Sequence, residues 1–420
     1  MSITMNNNNN QTGFKIVFRS LQYRNYRLFF IGQTISLIGT WIQRITTPWL
    51  VYRLSKSAFL LGVVGFSAQI PAFLLTPFAG VWVDRLNCHK ILVATQILAM
   101  IQALSLSVLF FTGTIKIWLI VILGILLGCI DAFDMPTRQS FVVDIIDKKE
   151  DLSNAIALNS LMVNVAMLIG PTIAGILVAT AGEGMCFLVN GLSYIFVIIS
   201  LLMMIVESKN IKIQNNNKIF SDLKEGFRYT FGGVVIRYVI LLLALVSLMG
   251  MSYALVMPVF VKEILHGGSH TFGFLMSASG IGALAGAIYL ASRRDSSGII
   301  KILPLSALIF GFALISLAFT RIFIIALILM IITGLGMIIQ MAGSNTVLQT
   351  IVEDNKRGRV MSFYTMAFIG TAPFGSLIAG FLTSKLGVQN TLIINGLSCV
   401  LGALFFLNKI SEFTKISHVN

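Results

Sequence analysis

Three charged side chains, Arg44, Asp131 and Asp134, fall inside long apolar runs. A charge at the middle of a bilayer costs about 3 kcal/mol or more unless it is paired or hydrated, so each marks a place that water, an ion or a solute can reach. A carboxylate at such a depth can load and release a proton, which makes Asp131 and Asp134 candidate proton carriers. The rival reading places them in a charge cluster with Arg85, Lys90 or Arg138 at the membrane edge. Asp134, the nearer to that edge, fits the cluster better; Asp131 fits either. Arg44 lies about 25 Å above the start of its run, and Asp131 about 8 Å from the end of its own, at 1.5 Å per residue. The offset is on the order of 17 Å, so no direct ion pair between them is expected. Arg44 then faces a wet cleft and an anionic solute, or acts as a structural or snorkelling charge. Gln43, Gln69, Asn164 and Gln340 are candidates to orient a solute in a mainly apolar cleft. Such residues also cement helix contacts.

The elements that must position these groups are membrane helices. Hydrophobic residues make up 56% of the 420-residue chain and charged residues 11%, with a mean hydropathy of +0.90. A water-soluble surface needs about 25% charged residues. Twelve apolar runs are long enough to cross a bilayer as helices, at approximately 28–52, 59–83, 91–112, 117–135, 155–181, 185–206, 236–261, 271–292, 299–320, 322–345, 360–384 and 388–408. None alternates apolar and polar residues, which argues against a β-barrel. The polar start, with Asn6 to Asn10, is not expected to be a cleaved signal.

The net charge of +14 is a matter of topology. With the N-terminus inside, 23 of the 30 Lys and Arg fall on the inner side and 6 in outer loops, with Arg44 within a helix. That asymmetry places both termini in the cytoplasm and removes the case for a nucleic-acid partner. Cys88, Cys129, Cys186 and Cys399 have no paired spacing and read as packing residues. The four histidines are scattered, so no metal site is expected. There is no phosphate-binding glycine loop, and no nucleophile, base and orienting acid share one side of the bilayer. The chain is therefore expected to be neither an ATPase nor an enzyme, and to need no cofactor beyond an ion gradient.

The chain also repeats itself. Gly170-Pro171-Thr-Ile-Ala-Gly175 returns as Gly375-Ser-Leu-Ile-Ala-Gly380, 205 residues later, and Gly182 returns as Gly387. Pro48 answers Pro258, and Leu61-Gly62 answers Phe272-Gly273. One bundle written twice leaves a cleft at its seam. The expected organisation is a cytoplasmic tail (1–24), a six-helix bundle (25–206), a cytoplasmic linker (207–235), a second six-helix bundle (236–408) and a C-terminal tail (409–420). In the linker, Phe220, Leu223, Phe227 and Phe231 recur at helical spacing, as in a short helix lying on the membrane surface.

Three motifs carry a resemblance. Gly80-Val-Trp-Val-Asp84-Arg85-Leu-Asn-Cys-His89-Lys90 resembles the loop between the second and third helices of the major facilitator superfamily. It departs from that pattern at Asn87, Cys88 and His89, where the family has Gly and two basic residues. The resemblance implies an inner gate built from Gly80, Asp84, Arg85 and Lys90 with Asp134 and Arg138. Gly170, Pro171 and Gly175 resemble the motif of the superfamily's exporters. Asp134-Met-Pro136-Thr-Arg138, Trp49-Leu-Val-Tyr52, Asp222-Leu-Lys-Glu-Gly226 and Leu348-Gln-Thr-Ile-Val-Glu353 resemble the enterobactin-exporter-like and macrolide-efflux-like branch. Over roughly residues 14–410 the resemblance implies an all-α major facilitator fold of twelve transmembrane helices in two pseudo-symmetric bundles. It further implies a monomer in the bacterial inner membrane, in contact with lipid, that couples proton entry to efflux of a small amphipathic siderophore or drug. A lysophospholipid flippase is the alternative within transport; a non-transporting receptor or assembly factor is the alternative outside it.

Overall fold

The structure, a computed structural model, describes residues 18–83, 86–146, 148–205, 227–293 and 298–416. Its first six helices are α1 (Arg24–Ser55), α2 (Ala58–Val83), α3 (Cys88–Phe111), α4 (Ile117–Asp144), α5 (Lys149–Ala181) and α6 (Glu183–Leu202). The second set is α7 (Val234–Leu245), α8 (Tyr253–Glu263), α9 (Ser269–Ser292), α10 (Ile299–Phe319), α11 (Phe323–Ile351), α12 (Asp354–Phe368) and α13 (Ala372–Ile416). A π-helical turn at Val246–Gly250 joins α7 to α8 within one crossing. Residues 369–371 join α12 to the first part of α13 in another.

Ten stretches among the described residues are long and apolar enough to span a membrane. Two corrections bring the crossings to twelve. The last stretch, Lys356–Lys409, turns back at Gly387, whose φ of 81° only glycine adopts without strain. The other is α1, whose composition keeps it out of that set. It carries Gln33, Ser36, Thr40, Gln43, Arg44, Thr46 and Thr47, the composition of a helix that faces protein and water. Gly182, the partner of Gly387 in the repeat, makes the matching turn at φ 83°.

The chain is all-α among the described residues, and each set of six crossings packs chiefly on itself. Tyr26, Phe29, Phe141 and Leu158 are buried in one core of the first half, whereas Val239, Leu243, Phe310 and Leu392 belong to a larger core that also takes in Leu50, Leu61 and Phe187 of the first half. Cys186 and Cys399 are buried and Cys88 and Cys129 half-buried, all four as free thiols. Of the linker, residues 227–232 are helical, with Phe227 and Phe231 packed on Phe363; Phe220 and Leu223 lie outside the described residues.

The fourth run extends further than its apolar stretch. It runs to Asp144 rather than to about residue 135, because Phe141 continues to pack on Phe29 and His89 after the polar residues begin.

Candidate functional site

The longer α4 overturns the expected separation of Arg44 and Asp131. Asp131 stands thirteen residues from the end of α4, about 20 Å at 1.5 Å per residue. That brings it to within side-chain reach of Arg44, and Nη2 of Arg44 lies 3.6 Å from Oδ2 of Asp131. The pair joins α1 to α4, two helices that otherwise scarcely touch. Its side chains remain 52% and 42% exposed. Ionised groups halfway along a crossing are costly against hydrocarbon, which argues that this exposure is to water. The Arg44 guanidinium also lies 5.5 Å from the ring centre of Trp41, one turn earlier on α1. Pro48, four residues beyond Arg44, has no N–H to offer the Arg44 carbonyl, which loosens α1 where the pair forms.

Asp134 is held quite differently. It is 4% exposed and forms an ion pair with Arg138 of the same helix. It also accepts hydrogen bonds from Thr95 Oγ1 (3.0 Å) and Gln96 Nε2 (2.6 Å) of α3. Of the residues expected at the inner gate, Asp134 and Arg138 bind each other within one half, and Lys90 is exposed and does not join them. The pairs Arg19–Asp151, Arg44–Asp131, Arg53–Glu183, Arg138–Asp134 and Lys356–Glu353 each lie within one half. Asp84 and Arg85 lie outside the described residues, as does the packing around Gly80. The departures from the family pattern have their own work. Asn87 Oδ1 caps α3 by accepting from Lys90 N–H at 3.2 Å, and His89 Nε2 lies 2.8 Å from the Leu201 carbonyl at the end of α6.

The four polar candidates do not converge on a cleft. Gln43 is buried and bonded to Gln102 (3.0 Å) and Asn190 (2.8 Å), inside the first half. Gln340 is buried and bonded to Ser306 (3.0 Å) and Ser344 (3.5 Å), inside the second. Asn164 is half-buried on α5. Gln69 alone reaches across, donating to Ser376 Oγ at 3.1 Å. The amides of Gln43, Gln340 and Gln69 bond neighbouring helices, which is the cementing role of polar residues in membranes. Thr95, Gln96, Gln102, Asn190 and Ser306 complete these networks unforeseen; amides inside apolar runs were the signal available.

The halves meet along two seams, at the end of the bundle away from the chain termini. In one, α5 lies on α9: a Cβ at Gly175 would stand 3.0 Å from Gly273 Cα and 2.9 Å from the Ser269 carbonyl. In the other, α2 lies on α13: a Cβ at Gly380 would stand 2.6 Å from Gly62 Cα and 2.8 Å from the Ala58 carbonyl. Gly175 answers Gly380, and Gly62 answers Gly273, so one close contact occurs twice. Pro171 and Ser376 are likewise 205 apart, and their carbonyls face Gly273 and Gly62. Gly170 packs instead on α1, where its Cβ would meet Trp41 Cβ at 2.5 Å. The first seam adds a Thr172–Ser277 hydrogen bond of 2.7 Å and the Trp49–Phe272 ring stack at 5.8 Å. Tyr52 donates to Glu263 across the same end at 2.5 Å, and Arg53 holds Glu183 at 2.6 Å. These contacts close that end of the bundle, as one state of a two-sided access path requires.

Known proteins match this picture. The model of a family described as transmembrane secretion effector matches residues 17–418. The Staphyloferrin A transporter of Staphylococcus aureus (strain NCTC 8325 / PS 47) is 28% identical over 388 residues, covering 91% of this chain and 96% of that one. The multidrug efflux pump Tap of Mycolicibacterium fortuitum is 24% identical over 375 residues, covering 86% and 90%. Among solved structures, a bacterial homologue of the human lysosomal transporter Spinster, inward-facing and unoccupied, superposes with a TM-score of 0.74 at 16% identity, covering 94% of this chain and 98% of that chain. The chain belongs to the transmembrane secretion effector family: it is a multi-pass membrane transporter of the major facilitator efflux type, not an enzyme.

Proposed function

We propose that the protein exports an amphipathic small molecule, a siderophore or a drug, from the cytoplasm in exchange for protons. The observation that carries this reading is the Arg44–Asp131 pair, a weakly held ion pair open to the cleft. Arg44 offers a guanidinium to an acidic group on the cargo, and Asp131 takes up a proton when the cargo has left. The siderophore and drug transporters among the relatives support that cargo range.

The protein works in this reading as a monomer in the bacterial plasma membrane, without nucleic acid. Both termini are cytoplasmic, as the excess of basic residues on that side argues. In that orientation the sealed seams lie outside, and the open side holding the pair faces the cytoplasm. Export follows when the seams part and the cytoplasmic side closes.

The test is accumulation of a panel of siderophores and amphipathic drugs by everted membrane vesicles under an imposed pH gradient. Arg44→Ala and Arg44→Lys are expected to impair accumulation of acidic cargo at unchanged protein level, since Lys lacks the planar fork of the guanidinium. Undiminished accumulation by both variants, or accumulation indifferent to the pH gradient, would reject the reading.

A further inference from the structure

The charges facing Asp131 limit what the cargo can be. Arg44 approaches it from α1, while Asp134 and Arg138 face it from its own helix, with the Tyr194 hydroxyl close by on α6. Asp134 and Arg138 neutralise each other. The second half supplies no charge at this depth. Between Tyr238 and Val261, and along the cores of α9, α10, α11 and both crossings of α13, the sequence has no Asp, Glu, Lys or Arg. At this depth the described residues therefore present one unneutralised cation and one unneutralised anion, 3.6 Å apart.

A cargo with a single charge would bind one member of the pair and strand the other, and an uncompensated charge in a membrane interior is costly. A zwitterion exchanges one internal pair for two external ones and strands nothing. The direction of coupling makes the same demand. Exchange requires cargo and proton to exclude each other, and by reciprocity each must weaken the other's binding. An acid alone, drawn to Arg44, takes from Asp131 the cation that keeps it ionised. It therefore favours protonation, and cargo and proton would travel together. A cationic group lodged beside Asp131 competes with the proton directly, which is the sign that export by exchange needs.

We infer that the pair is a zwitterion site: the exported molecule carries a cationic group for Asp131 and, a few ångströms away, an anionic group for Arg44, with an apolar or aromatic body beside Trp41. This rests on the export reading above and names its substrate class.

The experiment uses three fluorescent probes with a common dansyl body. Nε-dansyl-lysine carries ammonium and carboxylate on one carbon, dansylcadaverine the ammonium alone, and 6-(dansylamino)hexanoate the carboxylate alone. Binding to the purified full-length protein is read by energy transfer from tryptophan to the dansyl group. Transport into proteoliposomes is followed under a pH gradient. Dansyl-lysine is expected to bind about tenfold or more tightly than either single-charge probe, the ratio that 1.4 kcal/mol represents. Arg44→Gln should remove the advantage over dansylcadaverine, and Asp131→Asn the advantage over the hexanoate. Added dansyl-lysine should also release protons.

Dansyl-lysine that fails to bind, or binds no better than the preferred single-charge probe, overturns the inference. The wild-type ranking decides this even if a variant folds poorly. The two readings fail separately. If Arg44→Gln and Asp131→Asn abolish transport but the preferred probe is singly charged, the site stands and the zwitterion falls. If both leave transport of every accumulated compound unchanged, the export site itself is wrong.

Discussion

The two halves hold the same polar knot, charged in one and neutral in the other. In the first, Asp134 of α4 binds Arg138 one turn on and is held by Thr95 and Gln96 of α3. In the second, Gln340 of α11 bonds Ser344 one turn on and Ser306 of α10. The positions correspond. Asp134 and Gln340 are 206 apart, as are Arg138 and Ser344 and the first residues of α4 and α11. Thr95 and Ser306 are 211 apart, as are the first residues of α3 and α10. Hydrogen bonding alone therefore suffices to hold these helices together, and the charges in the first half are an addition. That addition sits one turn from Asp131, where a proton and a charged cargo are to be exchanged. Duplication provided the scaffold twice, and the charge was placed in one copy.

Removing one member from each knot sharpens this contrast. Asp134→Ala leaves the half-buried Arg138 without its anion, and breaking a largely buried pair costs up to about 3–5 kcal/mol. Gln340→Ala removes neutral hydrogen bonds, at about 1 kcal/mol each. Thermal unfolding of the purified variants in detergent should show the first loss well above the second; equal losses would mean that the charges are incidental to the fold.

The seams make the opposite comparison, since there the halves are alike. Gly273→Val and Gly380→Val each push a side chain into facing backbone, and overpacking of this kind costs about 1–3 kcal/mol of the sealed state. Both are expected to slow transport to a similar extent and to raise labelling of cysteines placed at the sealed end. A large effect from one and none from the other would show that the halves do not move as equivalent lobes. The smallest effect is expected from Tyr52→Phe, which removes the bond to Glu263 and about 1 kcal/mol from the sealed state. Its mark would be faster opening, read by the same labelling, with cargo affinity unchanged.

The repeat was legible in the sequence because glycine at a close helix crossing has no substitute: Gly62, Gly175, Gly273 and Gly380 are the residues at which the backbones meet. The turns at Gly182 and Gly387 were legible for the same reason. The Arg44–Asp131 pair was not. The apolar run of α4 stops near Phe133, but the helix does not, since Phe141 and Val142 on its buried face keep it packed through the polar stretch. Counting depth from the end of the apolar run put Asp131 too close to the membrane edge. The roles of Gln43 and Gln340 were hidden for another reason. An amide that faces a cleft and an amide that ties two helices look alike in a sequence, and only the partners, Gln102 and Asn190 in one half and Ser306 in the other, decide between them.

The claim that Asp131 trades a proton for cargo is tested most directly by proton release on binding. A compound that the wild-type protein accumulates in everted vesicles is added to the purified protein in weakly buffered detergent near neutral pH, and the pH of the medium is followed. The account predicts acidification with the wild type and with Gln340→Ala, and none with Asp131→Asn, although Asp131→Asn still binds the compound. Proton uptake by the wild type, or release that persists in Asp131→Asn, would contradict it.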